Sequence, residues 1–348
     1  MKSSSATATT GIAETPLTSP ATAGEVDRRS GEDTGYVGRF APSPSGPLHF
    51  GSLVAAVGSW LDARAHQGRW LVRIEDIDPP REKPGAADAI LRTLEALCLD
   101  WDGEVLRQST RTAAYAAALA RLGRQNLLHA CHCTRAALTQ LPQNRDRAPG
   151  ANDELFHPRR CPTAASGAVA GQAWRLRVPH GRVAFTDRSL GERDSDVAAS
   201  VGNFVLRRRD GLFAYQLAVV VDDAHQGITD VVRGCDLLAS TPRQVLLQQA
   251  LGLPRVRYLH LPLAVDRRGR KLSKSEDAPA ADRSTPAAQL VAALEFLGQH
   301  PPAALCNAGP RDVLEWAREH WGLQGFAGRV SGAVPQGADA GDAGEERA

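Results

Sequence analysis

Residues 38–52 read GRFAPSPSGPLHFGS, and this stretch determines how the rest of the chain can be interpreted. A short predicted strand at 36–40 precedes it, and residues 53–67 follow with apolar side chains at helical spacing. Strand-to-helix turns of this kind bind phosphates, because the free N–H groups at the helix N-terminus point at the anion. Prolines stiffen the loop, Ser52 is a suitable helix cap, and His49 adds a hydrogen-bond donor. The stretch therefore predicts a phosphate-binding turn.

The next predicted strand, RWLVRI at residues 69–74, ends in the acidic sequence EDIDPPR. A strand, a helix and a second strand at this spacing form a βαβ unit with a parallel sheet. The carboxyl ends of such strands carry the ligands of the sheet, and the alternation puts Arg73 and Glu75 on one face. Glu75 and its neighbours could bind a cation or an ammonium group there. A solvated acidic turn closed by prolines is the alternative interpretation.

The second half of the chain offers further polar residues beside predicted strands. The apolar run at 217–221 is typical of a strand buried on both faces, and Tyr215 would lie at its start, near the rim of the sheet. Arg233 precedes a glycine at another strand end, a position that suits binding of a carboxylate or a phosphate. A strand at 257–265 is followed by a basic loop that contains Lys271 and Lys274.

Only four of the 41 basic residues are lysines, and two of these, Lys271 and Lys274, are three residues apart. An ammonium group and a planar guanidinium are not interchangeable, so this placement indicates a specific use of lysine, such as contact with phosphate oxygens.

Length and composition set the limits of the interpretation. The chain has 348 residues, of which 43% are hydrophobic, and a formal net charge of +2. It is long enough for one large domain with insertions, and the small net charge neither favours nor excludes nucleic acid. Residues 1–34 are rich in Ser, Thr and Ala and carry acidic residues, which predicts a disordered extension and not a signal peptide. The chain contains no run of 18 apolar residues, the length that a membrane-spanning helix needs. Its six cysteines are unevenly spread along the sequence, which favours a reducing cytoplasm.

Three of the cysteines fall in one segment with a histidine. Cys131 and Cys133 form a C-x-C pair, and after a polar loop His157 and Cys161 form an H-x3-C pair. Three thiolates and an imidazole make a closed tetrahedral zinc set. His129 could compete as the fourth ligand, and buried reduced thiols without metal are the alternative.

Two of these motifs together resemble those of class I aminoacyl-tRNA synthetases. PSGPLHFG resembles the HIGH signature, with Ser52 in its final place, and KLSKS at residues 271–275 resembles the KMSKS loop. RFAPSPSGPLHFGS and RIEDIDPPR are similar to the glutamyl branch. The resemblance over residues 36–320 is closer still to the glutamyl-queuosine tRNA(Asp) synthetases, short relatives of glutamyl-tRNA synthetase that lack its anticodon-binding domain. That family carries a zinc site in which a tyrosine occupies the place of His157.

The resemblance implies the fold class, an α/β Rossmann-type catalytic domain with an inserted zinc-containing subdomain and a short helical C-terminal part. The expected boundaries are 1–34 for a disordered extension, 35–126 and 201–284 for the two catalytic halves, 127–200 for the insert, 285–322 for the helical part and 323–348 for a disordered tail.

The resemblance also implies roles for individual residues. Glutamate would be bound by Arg39, Phe40, Ala41, Pro42, Ser43, Glu75, Tyr215 and Arg233. ATP, with Mg²⁺, would be bound by His49, Gly51, Ser52 and Lys274, and His49, Lys271 and Lys274 would be catalytic. Zinc would be bound by Cys131, Cys133, His157 and Cys161. Two guanidiniums favour a dicarboxylate over a neutral amide, because the amide leaves a buried charge unpaired.

The implied activity is ATP-dependent activation of L-glutamate and its transfer to the cyclopentenediol of queuosine in the anticodon of tRNA(Asp). We expect a cytoplasmic monomer. The alternatives are a truncated glutamyl-tRNA synthetase that charges a tRNA 3′ end, a non-catalytic zinc-dependent RNA-binding relic, and nucleotidyl transfer by a related enzyme.

Overall fold

The computed structural model describes residues 35–144, 155–161, 164–165, 171–265 and 284–334. Its strands are β1 (Val37–Phe40), β2 (Arg69–Ile74), β3 (Leu106–Arg107), β4 (Leu128–Cys131), β5 (Ala164–Ala165), β6 (Ala173–Leu176), β7 (Val183–Asp187), β8 (Gly191–Ser195), β9 (Val205–Arg207), β10 (Asp230–Gly234), β11 (Arg257–Leu261), β12 (Leu263–Val265) and β13 (Ser331–Ala333). Its helices are α1 (Phe50–Ala65), α2 (Ala86–Ala96), α3 (Thr112–Arg124), α4 (Arg135–Thr139), α5 (Val197–Ser200), α6 (Tyr215–His225), α7 (Thr241–Ala250), α8 (Pro286–Phe296) and α9 (Pro310–His320).

Parallel strands form the centre of the fold, as the sequence predicts. β1, β2 and β3 pair in that order, and β10 pairs in parallel with β11, which also pairs with β7. β1 lies beside β10, where the Thr229 amide donates a hydrogen bond of 2.9 Å to the Val37 carbonyl. The carboxyl ends of β1, β2 and β10 therefore meet at one edge, the position at which sheets of this kind bind ligands.

Helix α1 packs on this sheet through fully buried residues that include Leu53, Val57 and Leu61. Gly58 allows the close approach, because a Cβ atom there would lie 2.6 Å from Leu261 Cδ1 on β11. The predicted helix cap at Ser52 is wrong. The helix begins three residues earlier, and its N-cap is His49, whose imidazole accepts a hydrogen bond from the Ser52 amide.

A second sheet is antiparallel and has the strand order β5-β4-β6-β9. The insert expected at 127–200 does not coincide with this sheet. β9 lies beyond its end, and the hairpin of β7 and β8 within it extends the central sheet, since Asp187 pairs with Tyr258 of β11. The sequence showed these strands without showing their partners, which are distant along the chain.

Two expectations about local structure are wrong. The apolar run at 217–221 belongs to helix α6 and not to a strand, since a run of five apolar residues does not distinguish a buried helix from a buried strand. Residues 323–334 of the expected disordered tail are also structured, because Phe326 is fully buried and β13 pairs with β12. Within the described part of the chain, no helix has the length and apolar character needed to cross a membrane.

Candidate active site

A cavity of about 690 Å³ opens where the ends of β1, β2 and β10 meet the N-terminus of α1. The sequence-predicted residues among its lining are Arg39, Phe40, Ala41, Pro42, Ser43, His49, Gly51, Ser52, Glu75, Tyr215 and Arg233. The fold thus gathers into one cavity every predicted glutamate or ATP residue that it describes. Lys271 and Lys274 lie outside the described residues, so their roles stay predictions.

His49 and the first turn of α1 form one wall of the cavity. His49 Nδ1 accepts a hydrogen bond from the Ser52 amide at 3.2 Å, and its Nε2 lies 3.0 Å from Ser52 Oγ. Gly51 leaves room for the ring, because a Cβ atom there would lie 3.3 Å from His49 Cε1. The helix N-terminus therefore faces the cavity with an imidazole and a hydroxyl beside it, an arrangement suited to phosphate oxygens.

The buried carboxylate of Asp223 binds the guanidinium of Arg39. Arg39 Nε and Arg73 Nη2 both donate to Asp223 Oδ1, at 3.1 and 2.7 Å, and all three side chains are buried. Burial alone would raise the pKa of Asp223, but the charges of Arg39 and Arg73 hold it below its ordinary value. Asp223 is therefore an anion that fixes the guanidinium of Arg39 at the cavity.

Glu75 has a different environment, although it is close to the same cations. Its Oε1 lies 3.6 Å from Arg73 Nη2, within ion-pair distance, and is buried without a hydrogen-bond partner among the described residues. Burial raises the pKa of Glu75 to about 7, against the lowering effect of Arg73 and Arg39. A buried carboxylate with an open acceptor suits a ligand that brings its own cation, such as an amino group.

The guanidinium of Arg233 is buried and forms hydrogen bonds only to uncharged side chains among the described residues. Its Nε donates to His260 Nε2 at 3.1 Å. Its Nη1 donates to Gln244 Oε1 at 2.8 Å and lies 3.5 Å from the Tyr215 hydroxyl, and its Nη2 donates to Thr241 Oγ1 at 2.7 Å. Among the described residues no carboxylate forms an ion pair with it. A guanidinium held in this way is available to a carboxylate supplied by a ligand.

Tyr215 lines the cavity as the sequence predicts, but as the first residue of α6 and not of a strand. Sequence reasoning missed three of the partners of Arg233, namely Thr241, Gln244 and His260. The signal for His260 was present: it is a polar residue inside the apolar sequence YLHL, and such residues are retained in strands when they have a buried partner.

The four predicted zinc ligands also come together. The donor atoms of Cys131, Cys133, His157 and Cys161 all lie within 4.8 Å of one another. Cys133 Sγ and Cys161 Sγ are 3.8 Å apart, and His157 Nε2 is 3.2 Å from Cys131 Sγ. Tetrahedral zinc with Zn–S bonds of about 2.3 Å places two sulfurs about 3.8 Å apart, so the donor set fits this metal.

The surroundings of Cys131 favour the form of its side chain that binds a metal. Burial would raise the pKa of Cys131, but hydrogen bonds from His157 and the Cys133 amide lower it to about 5, which favours the thiolate. His129, the competing ligand, is outside the cluster, and its ring centre lies 5.6 Å from that of His157. His157 is therefore the imidazole that fits the site.

Comparison with known proteins identifies the family. The model of the catalytic domain of class I tRNA synthetases (E and Q) matches residues 36–295. The chain is 53% identical over 288 residues to the glutamyl-Q tRNA(Asp) synthetase of Thiobacillus denitrificans, a match that covers 83% of this chain and 94% of that protein. It is 55% identical over 286 residues to the protein of the same name from Dechloromonas aromatica, covering 82% and 94%.

Solved structures agree on the fold. A glutamate tRNA ligase from Elizabethkingia meningosepticum in complex with its amino acid has a TM-score of 0.69 and 20% identity, covering 88% of this chain and 68% of that one. The glutamate-tRNA synthetase of Elizabethkingia anophelis has a TM-score of 0.70 and 22% identity, covering 87% and 69%. The chain belongs to the class I tRNA synthetases of the E and Q group and, within them, to the glutamyl-Q tRNA(Asp) synthetase family.

Proposed function

We infer that this protein activates L-glutamate with ATP and transfers the glutamyl group to queuosine in tRNA(Asp), the activity for which its relatives are named. The observation that carries this inference is the charge pattern of the cavity. Arg233 is a buried cation with only uncharged partners, and Glu75 is a buried carboxylate with an open oxygen. Glutamate supplies a carboxylate for the first and an ammonium group for the second.

The pattern also supports selection against glutamine. Arg39 has a carboxylate partner of its own in Asp223, whereas Arg233 has none among the described residues. A neutral amide would leave the charge of Arg233 buried and uncompensated, which costs more than the loss of one contact. We propose that Arg233 binds the side-chain carboxylate of glutamate, that Glu75 binds its ammonium group, and that residues 39–43 and Tyr215 line the remaining surface.

In the first step, an oxygen of the glutamate α-carboxylate attacks the α-phosphorus of ATP. The new P–O bond gives glutamyl-adenylate, and the bond to the β-phosphate breaks to release pyrophosphate. Mg²⁺ compensates phosphate charge in this class of reaction. The residues of the chain position the reactants: we propose His49, Gly51, Ser52 and the start of α1 at the α-phosphate, and Lys271 and Lys274 at the departing pyrophosphate.

In the second step, a hydroxyl of the queuosine cyclopentenediol attacks the carbonyl carbon of the adenylate. An ester bond forms, the bond to AMP breaks, and the proton of the hydroxyl leaves with solvent or a phosphate oxygen. We propose that the Cys131, Cys133, His157 and Cys161 cluster holds structural zinc and takes no part in either step. We also propose a monomer and a cytoplasmic location, the latter because ATP and tRNA are the substrates.

Exchange of labelled pyrophosphate into ATP tests the first step. We expect exchange that depends on glutamate, that glutamine does not support at equal concentration, and that falls about 10²–10³-fold in Lys274→Ala. A non-catalytic relic would show no exchange, and a nucleotidyltransferase would exchange without glutamate.

Transfer of labelled glutamate to tRNA(Asp) with and without queuosine tests the second step. We expect label only on the queuosine-containing tRNA, and this label should persist when the 3′-terminal adenosine of the tRNA is removed before the reaction. Equal labelling of both tRNAs would contradict the proposal and would indicate a truncated glutamyl-tRNA synthetase.

A further inference from the structure

Arg233 is hydrogen-bonded to His260, which is hydrogen-bonded in turn to Asp187. Both partners are buried and lie outside the cavity lining. Asp187, His260 and Arg233 are on the adjacent strands β7, β11 and β10, and Arg233 and His260 are direct cross-strand neighbours. His260 Nδ1 lies 2.7 Å from Asp187 Oδ2, and His260 Nε2 accepts the hydrogen bond from Arg233 Nε. A carboxylate, an imidazole and a guanidinium therefore form one continuous hydrogen-bonded chain across three strands.

Asp187 is held rigidly. It is 1% exposed, and its Oδ1 accepts hydrogen bonds from the amides of Ser189 and Leu190 at 3.0 and 2.9 Å. Its Oδ2 accepts from the His260 amide at 3.0 Å in addition to the ring. Both oxygens thus face donors, and none of them belongs to a lysine or an arginine among the described residues.

The groups at the two ends of this hydrogen-bonded chain, Asp187 and Arg233, determine which nitrogen of the His260 ring carries the proton. A carboxylate can only accept, so His260 Nδ1 carries the proton, and a guanidinium can only donate, so Nε2 must be the unprotonated acceptor. The Thr241 hydroxyl, 3.2 Å from Nε2 and 2.7 Å from Arg233 Nη2, accepts from the arginine and can donate to the ring. A protonated ring would direct an N–H group at Arg233 Nε, so the chain is consistent only with neutral His260.

We propose that Asp187 and His260 are positioning residues that determine the specificity of the pocket for a dicarboxylic amino acid, by fixing Arg233 without placing an anion in contact with it. This inference rests on the proposed function. A carboxylate in the place of His260 would form with Arg233 the ion pair that the ligand must form, and it would also face the carboxylate of Asp187. The neutral ring of His260, oriented by Asp187, fixes the direction of the Arg233 guanidinium. The positive charge of Arg233 is then compensated only when the carboxylate of the substrate binds.

The test compares matched substitutions in the full-length protein by glutamate-dependent pyrophosphate exchange. Asp187→Asn puts an amide donor among groups that all donate, so either His260 or the amides of Ser189 and Leu190 lose their acceptor. Asp230→Asn is the control, because Asp230 is also 1% exposed and is paired with Arg257, and it has no contact with His260 or Arg233. His260→Leu removes the acceptor of Arg233 Nε, and His260→Gln restores an acceptor oxygen.

We expect Asp187→Asn and His260→Leu to raise KM for glutamate by about 10- to 100-fold, the usual effect of losing a hydrogen bond to a charged group, and to leave KM for ATP within about twofold of the original value. The preference for glutamate over glutamine should fall in parallel. His260→Gln should recover most of the loss, and Asp230→Asn should lower the melting temperature without changing either KM.

Three results would overturn the proposal: an unchanged KM for glutamate, equal increases in both KM values, or His260→Gln behaving as His260→Leu. If Asp187→Asn does not fold, the two His260 variants decide the question. Absence of glutamate-dependent exchange in the unaltered protein would instead refute the proposed function, and this inference with it.

Discussion

The buried carboxyl of Glu75 predicts that glutamate binding weakens as the pH falls below about 7. Burial raises the pKa of this group from its ordinary value near 4.5 to about 7, although Arg73 and Arg39 oppose the rise. We propose that the ionised carboxylate binds the ammonium group of glutamate, and the protonated acid lacks the charge for this contact. The KM for glutamate should therefore decrease as the pH rises through about 7.

The magnitude follows from the pKa. A carboxyl with a pKa of about 7 is about one-tenth ionised at pH 6 and about nine-tenths ionised at pH 8, so KM for glutamate should be roughly tenfold higher at pH 6. The stability of the fold changes in the opposite direction. Since an acid with a raised pKa binds more protons in the folded chain, the free energy of unfolding falls as the pH rises from about 4.5 to 7. A tenfold change in proton affinity corresponds to about 1.4 kcal/mol, so burial of Glu75 costs about 3 kcal/mol above pH 7.

Pyrophosphate exchange at saturating ATP between pH 6 and 8 provides the measurement, with Glu75→Gln and Asp78→Asn as comparisons. Glu75→Gln should have a high KM for glutamate that does not change with pH. Asp78 also lines the cavity, but Arg81 and Arg208 outweigh its partial burial and hold its pKa below the ordinary value, so Asp78→Asn should retain the original pH dependence. A flat KM in the unaltered protein, or the same slope in Glu75→Gln, would refute the reasoning.

Three further substitutions test other parts of the structure. Asp62→Ala removes a fully buried carboxylate that binds Arg188 through both oxygens, and we expect urea denaturation to show a loss of about 3–5 kcal/mol; a loss below about 1 kcal/mol would contradict the buried pair. Cys161→Ser should lower the zinc content measured by atomic absorption and lower the melting temperature, whereas unchanged zinc would remove this residue from the ligand set. Gly51→Ala should displace the ring of His49 and reduce the exchange rate with little effect on melting temperature, and full activity would show that the ring position is not needed.

The sequence predicted the cavity well because the charged residues of its lining lie close to the ends of strands. Glu75 directly follows β2, and Arg39 and Arg233 are the penultimate residues of β1 and β10. Parallel strands bring their carboxyl ends together without any further information. The cluster of three cysteines and one histidine was predictable for a similar reason. Cys131 and Cys133 are two residues apart, and His157 and Cys161 are four apart, so local spacing defined each half of the set.

The parts that the sequence did not predict depend on distant partners. Tyr215 was placed on a strand because residues 217–221 are uniformly apolar, and only packing against other elements shows that they form a helix. Asp187 was assigned to an insert, yet β7 lies in the central sheet and brings it to His260, 73 residues away. No local pattern contains that pairing, because it is determined by the order of strands in the sheet.

The two arginines of the cavity differ in a way that explains why both are needed. Arg39 shares Asp223 with Arg73, so its position is fixed by an ion pair and its charge is partly compensated before a ligand binds. Arg233 is fixed by neutral groups and keeps its charge. A single arginine could not have both properties, since a contacting carboxylate that fixes it also competes with the substrate. His260→Glu combined with Asp187→Asn, which avoids two buried carboxylates in contact, should therefore give Arg233 an ion pair of its own and lower the preference for glutamate over glutamine in pyrophosphate exchange.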